Sequence, residues 1–259
     1  MQLVVDVGNT ETVVGLASAP LEMAHHWRVN SVVPRTVDEL TVLLRAFLVA
    51  AEVDPRSVAQ GVVGSVVPSA TYVWRGSLER LVGGPVVVVG PESPLPIRME
   101  VEDPKSVGAD RVVNTLAARE MFGRDTIAVD IGTATTFDCI TAEGVFLGGV
   151  ISPGLSAGLE WLDKRTAKLP RVELAPPGLV IGRRTETCIQ SGVFYQTVDG
   201  VDGIVRRIKT EWGKPDALVV ATGGFCKILA PHLATVDRIE PYLTLYGLAL
   251  AGGHMAAVG

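Results

Sequence analysis

One local pattern occurs twice in this chain, and the repeat limits what the chain can fold into. A short apolar run ends in Asp-x-Gly and turns into a second strand-like segment. The first copy is Val4-Val5-Asp6-Val7-Gly8-Asn9-Thr10-Glu11-Thr12, and the second is Ala128-Val129-Asp130-Ile131-Gly132-Thr133-Ala134-Thr135-Thr136. In each copy the aspartate, the glycine two residues later and a threonine four residues after that keep the same spacing. The offset from Asp6 to Asp130 is nearly half of the 259 residues. The pattern reads as one phosphate-cradling hairpin used once in each half.

Such a turn suits a phosphate for definite reasons. Glycine lets the backbone approach closely and adopt positive φ. Successive amides in a tight turn form an anion-binding concavity. Threonine hydroxyls and the Asn9 amide add donors, and the aspartate holds a cation or its water shell. There is no GxxxxGK[ST], so this is not a P-loop, and the first strand's turn lacks the GxGxxG of dinucleotide binders. A single copy is most simply a hairpin with a capping aspartate. Two copies, followed later by Thr222-Gly223-Gly224, resemble the three-turn nucleotide site of the actin, hexokinase and acetate-kinase superfamily.

Periodicity fills in the chain between these turns. Residues 3–7 are nearly all apolar, as in a strand buried on both faces. Segments 12–17 and 26–29 continue as a meander. Apolar Val37, Leu40, Leu43, Leu44, Phe47 and Leu48 predict an amphipathic helix over 37–51, with Thr36 or Asp38 as cap. The first half reads β-β-β-α-β-α-β-α. The second begins again at 126, with a second meander over 126–151, a long helix over 185–207, a strand ending at Thr222-Gly223-Gly224 and a last helix over 243–255. The expected fold is α/β: two duplicated ribonuclease H-like (actin-like ATPase) domains, 1–122 and 123–259. Each is a mixed five-stranded sheet flanked by helices, with a nucleotide cleft between them.

Composition narrows the function. The chain is 47% hydrophobic, enough for a sizeable core, and its formal charge of −5 speaks against a general nucleic-acid or membrane-surface binder. No apolar run approaches the ~18 residues of a membrane span. The chain reads as entering a strand at Leu3, so no targeting peptide is expected. Its three cysteines, Cys139, Cys188 and Cys226, form no CxxC pair. They are expected to be small buried hydrophobes in a reducing cytoplasm. His25-His26 has no partner at metal-ligand spacing and reads as surface strand.

A kinase acting on an alcohol also needs a carboxylate to take the hydroxyl proton. Asp110, in Gly108-Ala109-Asp110-Arg111 at the start of a predicted helix, is the candidate. The helix N-terminus favours an anion there, and Arg111 can pair with a substrate carboxylate. From the residues alone, a capping aspartate beside a solvated arginine remains open.

Taken together the motifs resemble the type III pantothenate kinases. The matching pieces are Asp6-Val7-Gly8-Asn9-Thr10, Trp27-Arg28, Asp38-Glu39, Ser65-Val66-Val67-Pro68, Gly108-Ala109-Asp110-Arg111 and Asp130-Ile131-Gly132-Thr133-Ala134. They continue with Gly148-Gly149-Val150-Ile151-Ser152-Pro153-Gly154, Thr166-Ala167-Lys168-Leu169-Pro170, Gln190-Ser191-Gly192 and Thr222-Gly223-Gly224, in the family's order along nearly the whole chain. The resemblance implies ATP-dependent phosphorylation of pantothenate on its terminal hydroxyl, the first step of coenzyme A synthesis. It implies that Asp6, Val7, Gly8, Asn9, Thr10, Glu11, Thr12 and Val13 bind ATP phosphates, joined by Thr133 from the second turn. Gly108, Ala109, Asp110, Arg111 and Thr185 would bind pantothenate, with Asp110 as proton acceptor. Asp130 would hold a monovalent cation, K+ or NH4+, and Mg2+ would accompany ATP near Asp6. It further implies a cytoplasmic homodimer.

Three positions depart from the family: Val101 stands where a tyrosine often lines the pantothenate pocket, Glu11 brings negative charge to the phosphate turn, and Tyr246 stands before Gly247 where a charged residue is common, a neutral change. Glu11 would either point outward or help bind the metal. A non-catalytic regulatory homologue of the same fold, acting as a transcriptional accessory factor, is the alternative from another functional class. A small-molecule kinase with a different substrate is the third.

Overall fold

The computed structural model describes residues 1–258. The chain divides into two compact units. Met1–Gly123 packs with Glu143–Phe146 and the C-terminal helix, while Arg124–Ala142 and Leu147–Pro241 form the second unit. The chain passes from the first unit to the second at 123/124. The last helix returns to the first unit, which sequence spacing gave no reason to expect.

The first unit is built on β1 (Gln2–Val7), β2 (Glu11–Ala19), β3 (Glu22–Asn30), β4 (Gln60–Ser65) and β5 (Val86–Val89), in the order β3-β2-β1-β4-β5. β1 is antiparallel to β2 and parallel to β4. Its Leu3, Val4, Val5 and Val7 are all fully or almost fully buried, as an apolar run at the centre of a sheet must be. Helix α1 (Val37–Ala50) buries Leu40, Leu44 and Leu48, a single i, i+4, i+8 stripe. Its start is a reciprocal capping box: the Glu39 amide donates to Thr36 Oγ1 (3.2 Å) and the Thr36 amide to Glu39 Oε2 (2.7 Å). The Thr36 amide, and next the Thr36 hydroxyl donating to the same oxygen at 3.0 Å, hold the Glu39 carboxyl below its ordinary range. Thr36, not Asp38, is therefore the cap. Helix α2 (Pro68–Glu79) follows β4. After β5 come the two-residue β6 (Arg98–Met99) and α3 (Ala109–Phe122), which stops at Gly123 in the left-handed conformation.

The second unit contains β7 (Thr126–Ile131), β8 (Ala134–Ile140), β9 (Val145–Pro153) from Leu147 onward, α4 (Leu155–Arg165), α5 (Thr185–Trp212), β10 (Leu218–Thr222), the one-turn α6 (Cys226–Leu229) and β11 (Arg238–Ile239). The sheet through these strands has the order β11-β10-β7-β8-β9-β6, its β6 edge and the first two residues of β9 belonging to the first unit. Without β6 the order β9-β8-β7-β10-β11 repeats that of the first sheet strand for strand. The expected duplication is thus present. The sixth strand arises because β6 joins the start of β9, pairing Arg98 with Val145 and Met99 with Phe146. Helix α7 (Leu243–Val258) completes the first unit. It contacts α3, β1 and β4, so its apolar character all round matches burial on several sides.

Among the described residues no helix is long and apolar enough to cross a membrane. The cysteine expectation needs correction: Cys226 is buried and Cys139 partly so, but Cys188 is exposed, on the first turn of α5. His25 and His26 lie exposed on β3 as expected, and His254 on the last helix is partly buried.

Candidate active site

In the first unit, Asp6 sits at the end of β1, paired with Val13 on one side and Gly64 on the other. Gly8, Asn9 and Thr10 form the turn, closed by the Gly8 amide donating to the Glu11 carbonyl at 3.2 Å. Asn9, Thr10 and Glu11 are exposed, Gly8 and Val13 partly buried. Two of the expected phosphate residues have other business. The Val7 side chain is fully buried in the hydrophobic core, so only its backbone is at the turn. Thr12 is also fully buried, with its hydroxyl 2.8 Å from Ser31 Oγ on the chain leaving β3. Glu11 forms an ion pair with Arg28 of the facing strand.

In the second unit, Asp130 holds the matching place at the end of β7, paired with Thr136 and Thr222. The turn here is only Gly132 and Thr133, closed by the Gly132 amide on the Ala134 carbonyl at 3.0 Å. It is one residue shorter than the first. The register pairs Val7 with Thr12 but Ile131 with Thr135. The counterpart of Thr12 is therefore the buried Thr135, not Thr136, and equal spacing in the sequence conceals a one-residue difference in the turns. Thr133 is exposed.

Two glycines press on this second turn. The Gly154 amide donates to the Thr133 carbonyl at 3.1 Å, and a Cβ at Gly154 would lie 2.3 Å from the Gly132 carbonyl oxygen. Gly223 has φ +90°, and a Cβ there would lie 2.2 Å from Asp130 Oδ1. The third glycine turn thus lies directly on the Asp130 carboxylate, a close approach that only glycine permits. The sequence had singled out both glycines as motif members without indicating that they touch the second turn.

Asp110 is the second residue of α3, with Gly108 as N-cap. Its Oδ1 accepts from the Arg111 amide at 2.8 Å, and the carboxylate folds back so closely that a Cβ at Gly108 would lie 2.4 Å from that oxygen. Burial pushes the Asp110 carboxyl above the usual aspartate range, opposed by the Arg111 amide and then by the Arg111 charge. A carboxylate tuned upward by desolvation at a helix N-terminus is chemically suited to accept a proton. The Arg111 guanidinium carbon lies 4.9 Å from the centroid of the Phe146 ring. Phe146 was not among the sequence candidates, since a lone buried aromatic in a strand has no functional signature. Thr185 is the exposed first residue of α5, in the second unit.

The donor set fits oxygen-ligated cations. Among the described residues no group of three or more His, Cys, Asp or Glu side chains could hold a metal by itself. A cation here would be held by a single carboxylate together with phosphate oxygens, backbone carbonyls or water, as Mg2+ and K+ accept.

The overall α/β arrangement is shared with solved structures of low sequence identity. A Campylobacter jejuni protein described as a Baf family transcriptional activator superposes with a TM-score of 0.61 at 15% identity, over 98% of this chain and 99% of the other. A ROK family glucokinase from Streptomyces griseus, in complex with glucose and AMPPNP, gives 0.54 at 12% identity over 99% of both chains. The fold is of the α/β class of the actin-like ATPases and ROK sugar kinases. Within that class the sequence decides. A family model described as type III pantothenate kinase matches residues 2–207, and the chain belongs to that family. A type III pantothenate kinase of Moorella thermoacetica is 42% identical over 252 residues, covering 96% of this chain and 98% of the relative.

Proposed function

We propose that this chain carries out its family's reaction, phosphorylation of pantothenate by ATP, with Asp110 taking the proton from the terminal hydroxyl. The reaction rests on the family match over residues 2–207, and the choice of base on a buried carboxyl at the N-terminus of α3, beside Arg111. Proton acceptance requires the ionised form, and burial keeps the pKa closer to the working pH than that of an exposed aspartate. Arg111 meets the substrate carboxylate.

In this reading the roles divide between the units. In the first, the Gly8–Thr10 amides and the Asn9 side chain hold phosphate oxygens, and Asp6 anchors the divalent ion through water. In the second, Thr133 holds phosphate and Asp130 binds K+ or NH4+, backed by Gly223. Magnesium bound with ATP supplies neutralisation of the phosphate charge. Thr185 completes the substrate contacts. The enzyme is placed in the cytoplasm as a homodimer, and the duplicated domains are taken as 1–122 and 123–259 with α7 returned to the first. A coupled ADP-release assay with pantothenate and MgATP, run with and without potassium, tests the reading. Turnover dependent on pantothenate and raised by potassium is expected. Turnover without potassium dependence would remove the Asp130 assignment, and no turnover in either condition would remove the kinase reading.

A further inference from the structure

Residues 143–146 belong to the first unit although they interrupt the second in sequence. Their attachment is specific. The Gly144 carbonyl accepts from the Arg98 amide (3.0 Å) and the Phe146 carbonyl from the Glu100 amide (2.9 Å). At Gly144, φ +82°, a Cβ would lie 2.4 Å from Arg119 Cδ of α3. The segment is therefore gripped by β6 on one edge and by α3 on the other. This places the almost fully buried ring of Phe146 4.9 Å from the Arg111 guanidinium. The backbone bond to Glu100 also ties the segment to Val101, the position where the family's pocket tyrosine is replaced.

A guanidinium on a flexible stem binds a carboxylate well only if its plane is already oriented. An aromatic face fixes that plane, and the attraction grows when the pair is desolvated. We propose that Phe146 is a positioning residue: its ring holds Arg111 in the orientation that recognises the carboxylate of pantothenate. The inference rests on the assignment of Arg111 to that carboxylate. Phe146 discriminates acid from non-acid substrates without touching either.

The test compares pantothenate with pantothenyl alcohol, in which a hydroxymethyl group replaces the carboxylate. Phe146→Leu and the volume-conserving Phe146→Met remove the aromatic face, and Phe146→Tyr keeps it. Both aliphatic variants should raise KM for pantothenate about fivefold to thirtyfold. They should leave kcat, and KM for the alcohol, near wild type, and Phe146→Tyr should restore pantothenate binding. Equal losses on both substrates, or wild-type discrimination in Phe146→Met, would overturn the positioning role. Arg111→Met separates the two levels. If it selectively impairs pantothenate while the Phe146 variants do not, only the Phe146 proposal fails. If it impairs both substrates alike, the assignment of Arg111 fails.

Discussion

The two Asp-x-Gly turns begin from the same plan and end in different surroundings. The first has three residues, an exposed tip and an ion pair, Glu11 to Arg28, fastening its flank to β3. The second has two residues and is pressed by Gly154 and Gly223, the latter lying on the Asp130 carboxylate. The register that pairs Asp130 with Thr222 pairs Asp6 with Gly64, so in the first unit the place of Gly223 falls to Ser65, whose hydroxyl donates to the Val67 carbonyl at 3.0 Å. A duplicated hairpin keeps its strand order and the register position of its aspartate, while the neighbours of that aspartate diverge. On this account the proton-accepting carboxylate lies with the first unit and the monovalent cation with the second.

The largest effect that this division predicts is at Asp110. Asp110→Asn should lower kcat by about 10²–10⁴-fold, the range for loss of a general base. Its thermal midpoint should not fall. The folded-state pKa is raised, so the ionised carboxyl opposes folding above that pKa, and the neutral amide relieves the opposition. Wild-type turnover in the variant would move the base elsewhere.

Next come the two aspartates at the strand ends. Asp130→Asn should abolish the response to potassium, leaving the rate at its potassium-free level. Asp6→Asn should keep that response and raise KM for MgATP roughly tenfold, the size of a lost charge-assisted contact. Identical phenotypes would erase the distinction between the turns. Gly223→Ala is a smaller perturbation of the same site. The positive φ and the clash with Asp130 should destabilise the protein by about 1–3 kcal/mol in chemical denaturation. Weakened potassium activation should accompany it. Gly8→Ala, whose Cβ would meet the Glu11 carbonyl, its oxygen at 2.7 Å, should leave potassium activation intact.

The smallest effect concerns Glu11. Its partner Arg28 is exposed, and such pairs contribute about 0–1 kcal/mol. Arg28→Ala should raise KM for ATP only a few-fold by releasing a carboxylate beside the phosphates, and adding Glu11→Gln should restore it. Failure of the double substitution to recover would mean that Arg28 acts on ATP directly.

Much of this was legible in residue order. The strand–turn repeat announced the duplication, and the Leu40, Leu44 and Leu48 spacing announced α1. Membership of the family followed from short motifs. What stayed hidden depended on register and on contacts distant in sequence. Equal spacing of Thr12 and Thr136 from their aspartates implied equivalence, yet the shorter second turn gives that place to Thr135. Val7 and Thr12 lay inside a phosphate motif, but strand alternation turns both side chains inward. β6 and β11 have two residues each, too few for any period to register. The outward placement of Glu11 required knowing that β3 sets Arg28 alongside it. Phe146 reaches Arg111 through a strand pairing that no local pattern encodes.

The central claim, that buried Asp110 is the proton acceptor, is tested most directly by the pH dependence of kcat/KM for pantothenate. The base works ionised, so activity falls as pH drops through its pKa, and burial has moved that pKa upward. The account predicts an acid limb displaced above the ordinary aspartate range and absent from the residual activity of Asp110→Asn. A limb at the ordinary aspartate value, or one that persists unchanged in Asp110→Asn, would contradict it.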